Sequence, residues 1–241
     1  MDIEGSIALV TGANRGLGSA FARLLVERGA ARVYAAARNP DLLTLDEVIP
    51  VHLDITSAAD IAAAAQRCDD VTLLINNAGI STRTSALADG AVDAGRREME
   101  TNFFGTLAMS RAFAPILADN GGGALVNVLS VVSWVARPAN AMYCASKAAS
   151  WSLTNALRVE LAPQGTLVVG VHAGFIDTDL AAAVDGPKIA PGDVATQTLD
   201  AVQHGRYEVL ADDTSRRVKA ALAEEVTELY PSLIRAGASM R

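Results

Sequence analysis

A parallel β-sheet covered by helices on both faces is the architecture that this sequence of 241 residues predicts. Seven short runs are rich in Val, Leu, Ile and Ala and mostly lack polar alternation, as strands buried on both faces do. Helix-like stretches lie between these runs, and such alternation is typical of an α/β protein. The predicted strands are residues 7–11, 32–37, 49–53, 73–76, 124–129, 166–171 and 207–210.

Several of the intervening stretches show helical spacing of apolar residues. In the first of them Phe21, Leu24 and Leu25 recur at i, i+3 and i+4, and Gly29 provides a stop. The predicted helices are residues 19–28, 57–66, 90–117 and 140–161, with a charged helix over 215–229.

Composition limits the classes of function. The net charge of −7 argues against a nucleic-acid binder, which carries a basic excess. The two cysteines, Cys68 and Cys144, form no metal-ligand spacing, so no metal site is predicted, and a reducing compartment fits them best. The richest apolar run, 124–136, is interrupted by polar residues and falls short of the roughly 20 residues of a membrane span. The start is acidic, unlike a signal peptide. We therefore expect a cytoplasmic protein that binds neither nucleic acid nor membrane.

A glycine-rich turn, Thr11-Gly12-Ala13-Asn14-Arg15-Gly16-Leu17-Gly18, follows the first predicted strand and opens a helix. Glycines let backbone N–H groups approach a pyrophosphate, which the helix N-terminus then faces with its dipole. The spacing differs from G-x-G-x-x-G, and a merely structural turn is the plainer alternative. The position between strand and helix favours a dinucleotide site on a doubly wound, Rossmann-type fold. Its predicted contacts are Gly12, Asn14, Arg15, Gly16, Leu17 and Gly18.

The end of the second predicted strand indicates which dinucleotide binds. An NAD enzyme places Asp or Glu there to accept from the ribose hydroxyls. Here the strand ends in three alanines and Arg38, with no carboxylate. Arg38 and Arg15 can both pair with a 2′-phosphate, although each alone is better explained as a solvated surface charge. The two together favour NADP(H).

Tyr143 and Lys147 stand four residues apart in a predicted helix, which places their Cβ atoms roughly 5–6 Å apart on one face. A free tyrosine has a pKa of about 10, and a nearby ammonium lowers it. Tyr143 is thus a plausible general acid or base, although this spacing is common by chance. Ser130 follows the fifth strand on the ligand side, where it either bonds a substrate oxygen or satisfies backbone groups.

Taken together, these residues resemble the short-chain dehydrogenase/reductase family over at least residues 6–180. The matching pieces are Thr11-Gly12-x-x-x-Gly16-x-Gly18, Asp54, Asn76-Asn77-Ala78-Gly79, Asn102, Ser130, Tyr143-x-x-x-Lys147, and Gly174 with Thr178. Each piece is modest evidence by itself, whereas all of them in this order are specific.

The resemblance implies a role for each matching residue. Tyr143 would exchange the proton, and Ser130 would polarise the substrate carbonyl. Lys147 would bind the nicotinamide ribose and lower the pKa of Tyr143, and Asn102 would hold a water that links Lys147 to solvent. Further cofactor contacts would come from Asp54, Ile55, Asn77, Ala78, Gly79, Gly174, Ile176 and Thr178.

Two departures from the family pattern concern the last third of the chain. Ala173-Gly174 replaces a frequent Pro-Gly pair, which removes a restraint on φ. The end of the chain also lacks the Gly-Gly-rich segment through which family members often assemble, although a homodimer or homotetramer is still expected. We expect a single domain over 1–241, with a substrate lid and C-terminal part over about 178–241. Candidate walls of the substrate pocket are Trp134, Met142, Trp151, Phe175 and Leu180, each equally explained by core packing.

The sequence therefore predicts an NADP(H)-dependent oxidoreductase that acts on a small carbonyl or alcohol substrate, a ketone or aldehyde reductase. A ketoreductase of acyl thioesters, which uses the same chemistry on a carrier-bound substrate, is one alternative. A non-catalytic NADP(H)-binding regulator is another, and the presence of Asn102, Ser130, Tyr143 and Lys147 together counts against it.

Overall fold

The computed structural model describes residues 1–230, in which seven strands form one sheet with parallel pairing throughout. The spatial order is β3-β2-β1-β4-β5-β6-β7, so the direction of winding reverses between β1 and β4. Ligands of doubly wound sheets bind at this point, outside the carboxyl ends of the strands. The strands are β1 (Ile7–Thr11), β2 (Arg32–Ala37), β3 (Ile49–His52), β4 (Leu73–Asn76), β5 (Ala124–Val128), β6 (Leu167–His172) and β7 (Glu208–Leu210).

Helices connect these strands, and the predicted parallel α/β architecture is confirmed. The helices are α1 (Gly16–Glu27), α2 (Ala58–Arg67), α3 (Ala91–Glu98), α4 (Thr106–Asp119), α5 (Ala141–Glu160), α6 (Pro191–Gln203), α7 (Asp213–Ala220) and α8 (Val226–Leu229). The sequence analysis assigns no helix to the span of α6. The stretch predicted as one helix over 90–117 contains a π-helical segment, Met99–Gly105, between α3 and α4. Within the described residues, no helix combines the length and the apolar character needed to cross a bilayer.

The prediction of a single charged helix over 215–229 is wrong, because the structure has two helices there, α7 and α8. The first of them, α7, begins before residue 215, since the Asp212 carboxylate accepts a hydrogen bond from the backbone N–H of Ser215 and caps this helix. The helical stretch is then broken, because Glu224 takes an extended backbone with φ −84° and ψ 174°. A short helix, α8, follows the break.

Alternating strand residues feed two apolar cores, one on each face of the sheet. On one face Ala8 and Val10 of β1 pack with α1 and α6, through side chains such as Phe21 and Leu199. On the other face Leu9 joins a cluster that includes α2, α4 and α5. Full burial of each large apolar side chain contributes about 1.5–3 kcal/mol, so the central strands are held from both sides.

A buried polar chain crosses the second core. Asn76 of β4 donates to the Oδ1 of Asn127, its register partner on β5, at 3.0 Å. Asn127 in turn donates to the Thr154 hydroxyl on α5 at 3.0 Å. All three side chains are buried, so each of these bonds replaces one that water would otherwise make.

Replacing Asn127 with Ala should therefore destabilise the protein by about 2–4 kcal/mol, because it leaves the Asn76 amide and the Thr154 hydroxyl without these partners in the core. Asn39→Ala is the control, since Asn39 is exposed and only caps a three-residue turn. Urea unfolding monitored by circular dichroism measures the difference. Equal stability of the two variants would contradict the role given to the polar chain.

Candidate active site

The glycine turn joins β1 to α1 with a geometry that only glycine allows. A β-carbon on Gly18 would lie 2.1 Å from the carbonyl oxygen of Gly12, and Gly16 has a φ of +54°. Arg15 occupies the N-cap position of α1 and makes no side-chain cap, so its own side chain does not cover the first N–H groups of this helix. A helix start of this kind is a ready site for an anion such as a pyrophosphate.

A network of hydrogen bonds ties this turn to the chain that leaves β4. The Thr11 hydroxyl accepts from the backbone N–H groups of Asn77 and Ala78, at 2.9 and 3.0 Å. The Asn77 amide donates back to the carbonyl of Thr11 at 2.9 Å. Two sequence-predicted cofactor segments, 12–18 and 77–79, are thus brought together at the switch point of the sheet.

The other predicted adenosine contacts lie at the ends of β2 and β3. Arg38 follows β2 and is exposed. Asp54 follows β3, where its Oδ1 accepts from the backbone and hydroxyl of Thr56, and Ile55 packs against Gly105. The capping interpretation therefore accounts for one oxygen of Asp54.

Arg15 has a partner that the sequence analysis did not foresee. Its guanidinium lies 3.1 Å from the Asp179 carboxylate, and the two side chains are 70% and 77% exposed. An exposed pair of this kind contributes at most about 1 kcal/mol, so a bound phosphate would compete for Arg15 at little cost.

Tyr143 and Lys147 lie one turn apart on α5, as predicted. The Lys147 ammonium is 5.8 Å from the Tyr143 ring centroid and donates to the carbonyl of Val128, the last residue of β5, at 2.8 Å. Burial lowers the pKa of Lys147 to about 8, because the charged form loses its hydration.

The structure contradicts the expected direction of the Tyr143 pKa. Burial raises the pKa of Tyr143, and the negative charges available to Cys144 and Glu98 raise it further. The Lys147 ammonium does not offset these effects, since it is directed to the Val128 carbonyl rather than to the phenol. Tyr143 is therefore a neutral phenol, the form that donates a proton in carbonyl reduction.

Asn102 lies in the π-helical segment, and its side chain bridges two parts of the site. Its Oδ1 accepts from the Ile80 N–H at 2.8 Å, while its Nδ2 donates to the Ile80 carbonyl and to the Ser146 hydroxyl, each at 2.9 Å. A β-carbon on Gly79 would lie 3.1 Å from Asn102 Oδ1 and 3.7 Å from Lys147 Nζ. The cofactor segment and the Tyr–Lys helix therefore meet here. Ser146, which the sequence analysis missed, follows Tyr143 by three residues and faces the same side of α5.

Ser130 begins a short 3-10 turn, Val131–Ser133, directly beyond β5. Its hydroxyl accepts from the Val132 N–H and donates to the Ala173 carbonyl, each at 3.3 Å. The structure thus shows the capping role that the sequence analysis left open, and the long bonds leave the hydroxyl readily exchanged for another partner.

The segment after β6 is anchored by a residue that the sequence analysis missed. The Asp212 carboxylate accepts from the Gly174 N–H at 2.6 Å and also caps α7. Ile176 pairs with Ile189 in an isolated parallel bridge, and Thr178 contacts Gly16 of the glycine turn. The Asp-x-x-Ser pattern at 212–215 is a helix-start signal that could have identified Asp212.

Packing explains most of the candidate pocket walls. Trp134 stacks on His172, Trp151 meets Trp134 edge-on, and Met142 fills the space beside Gly95. Phe175 lies under the Arg137 guanidinium at 4.7 Å. Leu180, in the predicted lid, is 48% exposed. Among the five candidates it is the one whose side chain has, within residues 1–230, neither an aromatic or cationic partner nor a close contact at a glycine.

A glycine turn at the switch point, beside a Tyr–Lys pair at the end of β5, defines the class of protein: a doubly wound, dinucleotide-dependent oxidoreductase. The family model of the short chain dehydrogenases matches residues 6–189. The chain therefore belongs to the short-chain dehydrogenase/reductase family, as the resemblance predicted.

Known relatives agree with this assignment. An oxidoreductase of Staphylococcus aureus strain N315 is 32% identical over 226 residues, which cover 88% of this chain and 97% of the relative. The 3-oxoacyl-(acyl-carrier-protein) reductase FabG of Vibrio harveyi is 34% identical over 215 residues, covering 86% and 85%.

Two solved structures show the same fold. A short chain dehydrogenase from Burkholderia cenocepacia in complex with NADP has a TM-score of 0.92 at 43% identity, with 97% of this chain and 99% of that one covered. A relative from Burkholderia phymatum in complex with NAD has a TM-score of 0.83 at 26% identity, with 92% and 93% covered.

Substituting Gly18 with Ala should weaken dinucleotide binding roughly tenfold or more, because the added methyl group must displace the Gly12 carbonyl that shapes the turn. Gly192→Ala is the control, since open space surrounds Gly192 in the first turn of α6. Titration of protein fluorescence with NADPH measures both affinities. The geometric argument fails if Gly18→Ala binds as tightly as Gly192→Ala.

Proposed function

We propose that this oxidoreductase reduces a ketone or aldehyde with NADPH. The observation that carries the proposal is that Asn102 and Lys147 both meet Gly79, where an added β-carbon would lie within 4 Å of each side chain, one helical turn from Tyr143 and next to the end of β5. A substrate carbonyl held there would lie between a phenol that can donate a proton and the Ser130 hydroxyl.

The residues present fit a dinucleotide. Glycines at 12, 16 and 18 leave room for the pyrophosphate at the start of α1, where a larger side chain would collide. We assign the adenine to Asp54 and Ile55 and the carboxamide to Ile176 and Thr178. We assign the middle of the cofactor to Asn14, Leu17, Asn77 and Ala78. Gly174 is a further cofactor contact in this proposal.

The preference for NADP(H) rests on the end of β2. The strand ends in Ala35, Ala36 and Ala37, with Arg38 exposed beyond it and no carboxylate in the segment. Arg15 is held only by an exposed ion pair and is free to turn to a 2′-phosphate. The relative from Burkholderia cenocepacia, in complex with NADP, supports the same choice, while the relative with NAD shows that the family accepts both.

The chemistry follows from the protonation states of the site. When bound, NADPH supplies a hydride, with its electron pair, to the carbonyl carbon. The π electrons of the C=O bond pass to the oxygen, which takes the proton of the neutral Tyr143 hydroxyl. Ser130 donates a hydrogen bond to the same oxygen. We assign stabilisation of the phenolate left on Tyr143 to the Lys147 ammonium, which donates to the Val128 carbonyl while Tyr143 is neutral.

A β-ketoacyl thioester is the second candidate substrate, because the chain is similar to an acyl-carrier-protein reductase. Free ketones and thioesters would be reduced by the same residues, so the choice depends on the surface around the lid. The alternative that is not an enzyme is a non-catalytic NADP(H)-binding regulator.

The wider setting is also part of the proposal. We infer that residues 178–241, of which 231–241 lie outside the described residues, contribute the substrate lid and the C-terminal part of a single domain over 1–241, and that the protein acts in the cytoplasm. Association into a homodimer or homotetramer is part of the same proposal.

Tyr143→Phe should lower kcat for ketone reduction at least about 100-fold, because it removes the proton donor and leaves the ring in place. Initial rates of NADPH and NADH oxidation over a panel of ketones, aldehydes and β-ketoacyl thioesters measure the effect. Unchanged turnover in Tyr143→Phe would overturn the assignment. NADPH binding without turnover of any substrate would favour the regulator.

Arg38→Ala should raise the KM for NADPH roughly tenfold or more and leave the KM for NADH unchanged, because only NADPH carries the 2′-phosphate. Arg97→Ala is the matched control, an exposed arginine on α3. Equal effects on both cofactors, or a wild-type preference for NADH, would remove the role given to Arg38.

A further inference from the structure

His172 is the last residue of β6, and its side chain is fully buried. Its ring nitrogen Nδ1 lies 3.1 Å from the carbonyl oxygen of Ser130, across the boundary between β6 and the turn that follows β5. The family roles set out above do not include this histidine. Its contact is with the backbone of the serine that the proposed function assigns to the substrate oxygen.

The contact fixes the tautomer of the ring. A carbonyl oxygen only accepts hydrogen bonds, so Nδ1 must carry the proton. Burial lowers the pKa of His172 to about 4, which keeps the ring neutral near neutral pH and leaves Nε2 with a lone pair. Within residues 1–230, Nε2 has no hydrogen-bond partner, and Glu208 is 3.7 Å away. The histidine thus leaves one nitrogen unsatisfied while it donates with the other.

Neighbouring groups hold the imidazole in place. The Trp134 ring stacks on it, with centroids 3.8 Å apart and an interplanar angle of 18°. Lys219 of α7 donates to Glu208 at 2.9 Å and lies 4.9 Å from the Trp134 ring centroid. The stack fixes the plane of the ring, and the contact with the Ser130 carbonyl selects the orientation in which Nδ1 points at that oxygen.

The hydrogen bonds of Ser130 divide into a firm set and a loose set. Its carbonyl accepts from the Ser133 N–H at 3.0 Å and from His172 at 3.1 Å. Its hydroxyl makes two bonds of 3.3 Å, to Val132 and Ala173. The Ser130 N–H donates to the Ser133 hydroxyl at the same length. Bonds of 3.3 Å are longer than the usual range, so the two carbonyl bonds restrain this residue most firmly.

We propose that His172 is a positioning residue, whose Nδ1–H bond to the Ser130 carbonyl aims the Ser130 hydroxyl at the substrate oxygen. The proposal rests on the proposed function, since it takes Ser130 as the group that polarises the carbonyl. Loss of the bond lets the serine backbone shift. A misplacement of about 1 Å that arises away from the reacting atoms is enough to lower the rate of the chemical step. Most of the assigned cofactor contacts lie on other segments, and those that follow β6 are held by the Asp212 bond to Gly174 and the Ile176–Ile189 bridge, which do not involve the His172 ring.

Three substitutions of His172 separate donor position from packing. His172→Asn keeps an N–H donor at the position of Nδ1, His172→Gln moves it to the position of Nε2, and His172→Leu removes it. We expect kcat to stay within about twofold of wild type in His172→Asn and to fall roughly tenfold or more in the other two. The KM for NADPH should change less than twofold in all three.

Two kinetic results would overturn the proposal. One is wild-type kcat in folded His172→Leu, or in His172→Gln should the leucine variant not fold. The other is a loss in His172→Asn as large as that in His172→Gln, which would point to packing alone. Near-UV circular dichroism of Trp134 and Trp151 reports whether each variant keeps the native packing.

A measurement that needs no activity tests the same bond. In protein labelled with ¹⁵N-histidine, NMR should show a neutral His172 ring protonated at Nδ1, assigned by its loss in His172→Asn. The other two histidines, His52 and His204, are exposed. Protonation at Nε2 would overturn this inference even in an active enzyme. An Nδ1–H ring in a protein whose Tyr143→Phe variant keeps full activity would instead overturn the proposed function.

Discussion

The Thr11 hydroxyl is the junction on which the candidate site depends. The ladder between β1 and β4 ends at Ile75, and the chain beyond it has N–H groups that need acceptors. Thr11 accepts two of them and donates to the Ile75 carbonyl at 3.3 Å. One side chain thereby sets the glycine turn against the segment that runs on to Gly79, which meets Asn102 and Lys147. The hydrogen bonds of Thr11 therefore position both the glycine turn, where we expect the pyrophosphate, and the segment that leads to the Tyr–Lys helix.

Burial acts on both members of the Tyr–Lys pair and favours the neutral form of each. The phenol keeps its proton because a phenolate would lose hydration, and the ammonium of Lys147 has its pKa lowered for the same reason. Lys147 responds strongly to any charge placed beside it, since its side chain is buried and little water screens the interaction. The site is thus set for proton donation at neutral pH.

Hydrophobic pattern and turn chemistry predicted the sheet, its parallel pairing and most helices, because strands buried on both faces and a glycine turn leave local signals. The motif residues were likewise placed at strand ends and on α5. Contacts between distant segments leave no such signal. The Arg15–Asp179 pair, the Asp212 bond to Gly174 and the direction of the Tyr143 pKa depend on which side chains the fold brings together. The break at Glu224 also left no signal, since glutamate favours a helix by local propensity.

The π-helical segment Met99–Gly105 gives α3 and α4 a phase difference. An α-helix advances about 100° per residue, and a π turn accommodates one residue more than an α turn does. A helical wheel drawn through the whole stretch therefore misassigns the faces on one side of the segment. Shortening the chain here by one residue would restore a regular helix but rotate Asn102 away from Ile80 and Ser146. The irregular turn thus holds one residue that the helix cannot lose without moving a bridging side chain.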